Sequence, residues 1–355
     1  MSKMLRFAIS AAALAGMFVA PLGLTASVSA QPAKASKGTI AFLRSGPDLY
    51  YQYGLSGAEA AAKRLGYKVT DYTNPNVSPA QEKANIQNAI AAKVTAIDGY
   101  SVGLSTETAS IDAAAGAHIP IFLMYGYSHQ YITNKDVVGF EQVNLENYSR
   151  PVGQYMKTHL KGGQLAIITG QLGRGDAEGY RTGFLQGLGC GNDASGAPKK
   201  CGNISYVTQE SGGWLRPTAY TKAQDIIAKY PHIAAIFVEN EDMAVGVHSA
   251  LVAAHKAGQV LLVSQNGAPY GLAGIRAGWL KASDTCSPFL EGMVSVRLVD
   301  AFLHKKVTGD HLYYSYTVFV TKNNVNQAVG WNPGNAQINS LMNRPLPKPV
   351  NPPPM

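Results

Sequence analysis

The feature that most constrains this chain is a repeating alternation of short β-branched or aromatic runs with longer helical patterns. The runs begin near residues 39, 67, 94 and 119, a spacing of about one strand plus one helix. Thr39 to Leu43 (TIAFL) is a buried-strand pattern; Leu55, Ala58, Ala62 and Leu65 then share one helical face, which Gly66 ends. Tyr67 to Tyr72 is the next strand, and Ser78-Pro79-Ala80-Gln81 is a capping box with proline at the first helical position. Val94 to Asp98, a helix from about Ser105 to Ala115, and Ile119 to Met124 continue the series. The rhythm resumes with strands at Gln164 to Thr169, Ile204 to Thr208, Ile233 to Val238 and Val260 to Ser264, and with helices starting near Asp176, Arg216 and Glu241. Such alternation predicts an α/β fold of two doubly wound parallel sheets, each of about four to six strands, with a break near Val143. A chain of 355 residues, 46% of them hydrophobic, is long enough for two such cores.

Both termini stand outside this pattern. Residues 1–30 read as a secretory leader: Lys3 and Arg6, an apolar run from Phe7 to Val19, then the small-residue cleavage pattern Val28-Ser29-Ala30. The run is too short to span a membrane comfortably, so the mature chain, starting at Gln31, is expected to be exported and soluble. Removing the leader takes away two cations and no acids from a formal net charge of +8. The remaining excess forms no Lys/Arg block, so nucleic acid is not expected as a partner. Three cysteines are too few for a disulfide scaffold, but in an oxidising compartment Cys190 and Cys201 are natural partners, leaving Cys286 single. The proline-rich end from Arg344 is expected to be extended.

Ligands of open parallel sheets sit beyond the carboxyl ends of the strands, which directs attention to the residues just after each strand. Ser45, Asp48, Tyr50 and Tyr51 follow the first strand, and Tyr125 and Tyr127 follow the fourth. In the second half Trp214 precedes a helix, Asn240 follows one strand, and Gln265-Asn266 follow another. Aromatic faces beside amides and hydroxyls suit a neutral polyhydroxylated ligand. A hydrolase is the competing reading, because Gly99-Tyr100-Ser101-Val102-Gly103 fits G-x-S-x-G after a strand, with His248 or His304 as nominal partners for Ser101. The helix there starts too late for a nucleophile elbow and no HGGG segment is present, which favours an ordinary loop. Glu239, Glu241 and Asp242 read as acids favoured by a helix N-terminus rather than as a metal site. No zinc pattern and no P-loop occurs, so neither metal nor cofactor is called for.

Several local stretches are more specific. Thr39-Ile40-Ala41-Phe42 with Ser45 and Tyr50-Tyr51, Gly57-Ala58 and Leu65-Gly66-Tyr67 resemble the opening of ribose- and galactose-type periplasmic sugar-binding proteins of ABC importers. Ile119-Pro120-Ile121, Arg181-Thr182-Gly183-Phe184, and above all Tyr230-Pro231-His232-Ile233 through Ala235-Ile236-Phe237 to Asn240-Glu241-Asp242-Met243-Ala244-Val245-Gly246 extend the likeness over about residues 38 to 325.

The resemblance implies a non-enzymatic, monomeric type I solute receptor in the periplasm, with two Rossmann-like lobes joined by three hinge crossings, closing on a ligand and presenting it to a membrane permease. A sensory receptor of the same fold is a further alternative. The implied lobes are 38–143 with 287–312 and 144–286 with 313–330, followed by a proline-rich tail at 331–355. Position by position, Ser45 and Tyr50-Tyr51 match first-lobe contacts, Trp214 a second-lobe aromatic, and Asn240 an amide ligand. Tyr125 and Gly126 stand where members carry aspartate and arginine, Glu178 where they carry a sugar-binding arginine, Asn266 for another aspartate, and Cys286 for a glutamine. These departures remove charged groups that grip hydroxyls, and they widen the expected ligand from sugars to polyols, modified sugars or a cation facing Glu178.

Overall fold

The computed structural model describes residues 36–125, 137–191, 197–309 and 311–350. The expected leader at 1–30, Gly126 and Tyr127 lie outside them.

The alternation read from sequence is realised as β1 (Thr39–Arg44), α1 (Leu49–Leu65), β2 (Lys68–Thr73), α2 (Pro79–Ala91), β3 (Ala96–Tyr100), α3 (Leu104–Gly116), β4 (Ile121–Met124) and β5 (Val137–Gln142). These strands are parallel, and β3 and β4 are buried on both faces; β4 therefore reads as an unbroken apolar run, while β3 is interrupted by Asp98, which accepts from Ser295 at 2.7 Å. Gly66 ends α1 with φ +92°, a left-handed turn that costs glycine little, and Ser78 accepts from the Gln81 amide at 3.4 Å to start α2.

The second series is α4 (Leu145–His159), β6 (Gly163–Thr169), α5 (Gly175–Leu188), β7 (Lys199–Cys201), β8 (Ile204–Ser211), α6 (Arg216–Lys229), β9 (Ile233–Val238), α7 (Glu241–Ala253), β10 (Leu261–Asn266), α8 (Pro269–Ala277) and β11 (Ala282–Thr285). After it come α9 (Pro288–Leu303), β12 (Leu312–Tyr314), β13 (Val318–Thr321) and α10 (Asn335–Met342).

Among the described residues the first sheet has six strands in the order β12-β5-β4-β3-β1-β2, and the second has seven in the order β13-β11-β10-β9-β6-β8-β7. The seventh strand exceeds expectation because β7 and β13, short antiparallel edge strands, are too brief to register as periodicity. The Cys190–Cys201 disulfide ties β7 to the end of α5.

The chain passes between the sheets three times: from β5 to α4, from β11 to α9, and from β12 to β13. Tyr313 and Tyr314, expected in the second lobe, pair with Glu141 and Gln142 in the first sheet. Helix α9 returns to the first sheet by lying against α1 so closely that a Cβ on Gly57 would stand 1.9 Å from the Phe289 carbonyl oxygen. The segment from 331 onward, expected as a tail, instead carries buried Trp331 and the helix α10, because Ile338 and Leu341 share one apolar face and bury it. Val350 then makes a single antiparallel bridge to Leu312.

Candidate functional site

A cavity of about 360 Å³, within the ordinary range of small-molecule sites, opens beyond the carboxyl ends of both parallel sheets. From the first sheet, the turn after β1 contributes Asp48, the start of α1 contributes Tyr50 and Tyr51, the end of β3 contributes Tyr100 and Ser101, and the residue after β4 contributes Tyr125. From the second, the α5 entrance contributes Arg174, Asp176 and Tyr180; Trp214 precedes α6, Asn240 to Asp242 open α7, and Asn266 and Tyr270 flank the α8 start. Trp331 closes the group from far along the chain.

The aromatic wall is held from behind by one acid. Glu291 on α9 is buried and accepts from the Tyr50 hydroxyl at 2.7 Å, from Tyr125 at 3.3 Å and from Tyr100 at 3.5 Å. Burial pushes its carboxyl up to about 7, and the tyrosine hydroxyls pull in the opposite direction. Tyr50 in turn meets Trp331 edge to face at 5.3 Å, and the Trp331 indole donates to the carbonyls of Cys286 at 3.0 Å and Asn266 at 3.3 Å. On the opposite side Trp214 meets Tyr180 at 6.4 Å. Its ring occupies the space a side chain on Gly170 would need, since a Cβ there would lie 2.0 Å away. Tyr125, Trp214 and Asn266 all have positive φ (56°, 66° and 111°), an unusual set of non-glycine conformations concentrated on one cavity.

The polar groups divide into those already committed and those left open. Arg174 Nε donates to both carboxylate oxygens of Asp176, at 3.1 and 3.0 Å, and Arg216 donates to Asp242 at 2.6 Å. Glu241 accepts from the amides of Gly267 and Ala268 and from Ser283 Oγ, and burial raises it to about 8. It braces the α7 and α8 entrances rather than meeting a ligand. Asn240 Oδ1 caps α7 through the Met243 amide at 2.8 Å, leaving its amino group to donate. Burial, then the charge of Asp242, pushes the Asp48 carboxyl up.

Of the residues singled out from sequence, the cavity gathers Asp48, Tyr50, Tyr51, Tyr125, Trp214, Asn240 and Asn266. Four others lie off its lining. Ser45 is buried at the end of β1 with its hydroxyl unpartnered. Gln265 is fully buried and accepts from Ser149, because successive strand residues face opposite sides and Asn266 takes the cavity side. Glu178 pairs with Arg181 and accepts from the Gly173 amide at 3.1 Å. The Cys286 thiol sits behind the wall, 3.5 Å from the Tyr148 hydroxyl and 3.6 Å from that of Tyr50.

Sequence reasoning missed Tyr100, Arg174, Tyr180, Tyr270 and Trp331. Tyr100 was available as the last residue of a strand, and Tyr180 one turn beyond the helix start at Asp176. Trp331 follows no parallel strand, so the loop rule offers no signal for it.

Ser101 does line the cavity, but its hydroxyl donates to Glu82 at 2.9 Å, and that carboxylate also accepts from the Val102 amide and Ser110. The array fixes a loop rather than activating a nucleophile. His248 stacks on Trp279 at 4.5 Å, and His304 lies 2.7 Å from the Asp300 carbonyl oxygen. Among the described residues no group of three metal-ligating side chains occurs.

A family model described as a periplasmic binding protein domain matches residues 40–306. The chain is 26% identical over 307 residues to the ribose import binding protein of Salmonella typhimurium, covering 84% of this chain and 94% of that one. It is 33% identical over 152 residues to the D-allose-binding periplasmic protein of Escherichia coli, a match covering 42% of this chain and 46% of that relative's length. An ABC transporter periplasmic solute binding protein from Actinobacillus succinogenes, solved with bound D-allose, superposes with a TM-score of 0.74 at 22% identity, over 82% of this chain and 100% of that one. A carbohydrate transporter solute binding protein from Agrobacterium radiobacter, solved with D-arabinose, gives 0.70 at 22% identity, over 86% and 99%. The matched family is one of binding proteins rather than enzymes, in agreement with a Ser101 committed to Glu82. The cleft beyond two parallel sheets and the family match over most of its length together establish that the chain belongs to the periplasmic binding protein family.

Proposed function

We propose that this chain is the solute-capturing component of an ABC-type importer and takes a small carbohydrate or polyol in its cleft. The observation that carries the reading is the cavity itself: tyrosine and tryptophan faces from both sheets enclose it, with the Asn240 and Asn266 amides and the Asp48 carboxylate at its edges. Sugar C–H faces stack on such rings while hydroxyls bond to the edge groups. The ribose- and allose-binding relatives support the ligand class. Arg174 and Asp176 supply charge that the departures at Gly126 and Glu178 seemed to remove.

Capture proceeds by closure of two lobes about the three crossings, 38–143 with 287–314 and 144–286 with 315–330, the last boundary moved because Tyr313 and Tyr314 pair in the first sheet. Contacts from both sides favour the closed state over the open one. Residues 1–30 direct export to the periplasm, and a membrane permease receives the closed complex.

A thermal-shift panel of ribose, allose, arabinose and myo-inositol tests the reading. A true ligand at 100 times its dissociation constant adds about 2.7 kcal/mol of stability. Trp214→Ala should abolish that shift. A panel with no stabilising sugar or polyol, or a hit indifferent to Trp214→Ala, overturns the assignment.

A further inference from the structure

A second cavity, of about 370 Å³, lies away from the ligand cleft where the three crossings converge. Glu141, next to last in β5, contributes from the first crossing, Ser287 from the second, and Tyr314 through Thr317 are the third. Its walls are apolar: Leu290 and Val294 of α9 on one side, Leu341, Pro345 and Pro347 of the C-terminal segment on the other.

Its most buried polar groups are the Glu141 and Glu291 carboxyls with the Ser287 and Ser315 hydroxyls, and the Arg297 and Arg344 side chains also line it. Glu141 and Glu291 are each 2% exposed and Ser315 is 9% exposed, and all three line the cavity. Glu141 Oε2 is buried without a hydrogen-bond partner, while the Ser315 hydroxyl stands between the Glu141 and Glu291 carboxyls and lowers both against the effect of burial. Burying an acceptor of this kind unmatched is costly, and a buried carboxylate more so unless a positive group answers it.

The protein's own cations do not answer it. Arg297 lines the cavity but donates to the carbonyls of Leu341 and Arg344, and the Arg344 guanidinium lies 5.4 Å from the centre of the Tyr316 ring. Among the described residues neither Glu141 nor Glu291 has a basic partner in an ion pair. Burial, then the negative charge of Glu291 and of Asp98, holds the Glu141 carboxyl well above the usual range, with the Ser315 hydroxyl pulling the other way.

We propose that this cavity is a second ligand site, taking a small organic cation whose ammonium group sits against Glu141, Ser315 and Glu291 and whose carbon body fills the apolar walls. An ammonium supplies the donor that the open Glu141 oxygen lacks, and a space of this size surrounds several carbons as well as a charge. The site is also placed to act as an effector site. Glu291 forms part of this cavity while holding the Tyr50, Tyr125 and Tyr100 hydroxyls behind the cleft. Coupling to the first ligand requires that a cation bound here interact differently with the open and closed states. This inference stands on the second cavity and does not depend on which solute the cleft takes.

The test uses the full chain at about pH 8, above the value to which burial raises Glu291. Thermal unfolding is followed against n-butylammonium chloride, with n-butanol and potassium chloride at matched concentration and ionic strength as controls. The expected result is a saturable stabilisation by n-butylammonium alone, with affinity at least tenfold weaker in Glu141→Gln. That isosteric variant removes the charge without a cavity, and its far-ultraviolet circular dichroism checks that it is folded. No saturable response to n-butylammonium, or an equal response in Glu141→Gln, overturns the proposal; so does equal stabilisation by n-butanol. Stabilisation by potassium alone overturns the organic-cation assignment.

Discussion

Glu291→Gln isolates what the acid behind the aromatic wall costs. Burial raises the Glu291 carboxyl from an ordinary 4.5 to about 7, so the folded chain holds this proton more tightly than the unfolded chain does. A raised acid is neutral in both states at low pH. Between the two values only the unfolded state ionises, so stability falls as pH rises and the full cost is present above the folded value. At 1.36 kcal/mol per unit, the span corresponds to about 3 kcal/mol. The amide substitution removes the titration and keeps a carbonyl oxygen for the Tyr50 and Tyr125 hydroxyls. Urea denaturation of both proteins at about pH 5 and about pH 8.5 reads the difference. Near pH 5, just above the unfolded value, the variant should already lead by about 1 kcal/mol, and near pH 8.5 by about 3 kcal/mol. The gain should be somewhat larger because the Glu291 charge also raises Glu141. Asp98, Glu241 and Asp284 are raised too, but they are common to both proteins and cancel in the comparison. Parallel pH profiles, differing by a constant offset, would refute the reasoning.

Trp331→Ala should weaken ligand binding at least tenfold by calorimetric titration, since the indole backs Tyr50 and is anchored to the Cys286 and Asn266 carbonyls; unchanged affinity removes it from the site. Replacing Cys190 and Cys201 by serine should lower urea stability by about 3 kcal/mol on the loop-entropy model, and an unaltered midpoint would show that the bridge does not constrain the unfolded chain. Gly57→Ala forces a methyl group against the Phe289 carbonyl and should cost about 2–3 kcal/mol, with the loss read as a lower melting temperature. An equal or higher melting temperature would mean that α1 and α9 are not held at that separation.

The strand-and-helix frame was legible because most parallel strands buried on both faces are rich in apolar residues, as in Ile40 to Leu43 and Ile121 to Met124. Edge strands answer to a different constraint. Lys199–Cys201 and Val318–Thr321 gain their order from pairing with a neighbour, which leaves no period in so few residues. At the candidate site, the rule that ligands lie beyond strand ends led to loops that line the cavity, and side-chain direction then separated neighbours within them. Asn266 reaches the cavity while Gln265 points into the core, and Arg174 reaches it while Glu178, one turn further on, pairs with Arg181. Reading Glu178 as the replacement for a ligand arginine therefore removed a charge that the turn before it restores. Trp331 and α10 were hidden for another reason: their place depends on a contact with Tyr50 and on burial against the α1–α9 pair, both distant in sequence.

Glu291 shows why such a chain keeps a costly group where a leucine would pack. An apolar residue on α9 would avoid about 3 kcal/mol of desolvation above neutral pH, but it would take this acceptor from the Tyr100 hydroxyl and leave the Tyr50 and Tyr125 hydroxyls, 2.9 Å apart, to each other. Each of those hydroxyls belongs to a ring that faces the cleft, so their common acceptor fixes the orientation of one side of the aromatic wall before any ligand arrives. Side chains ordered in advance do not have to be ordered on binding, which lowers the entropic cost of capture. The same acid borders the cavity among the crossings. Stability surrendered at Glu291 is thus converted into a preorganised wall and, through Glu141 beside it, into a physical link between the cleft and the segments about which the lobes turn.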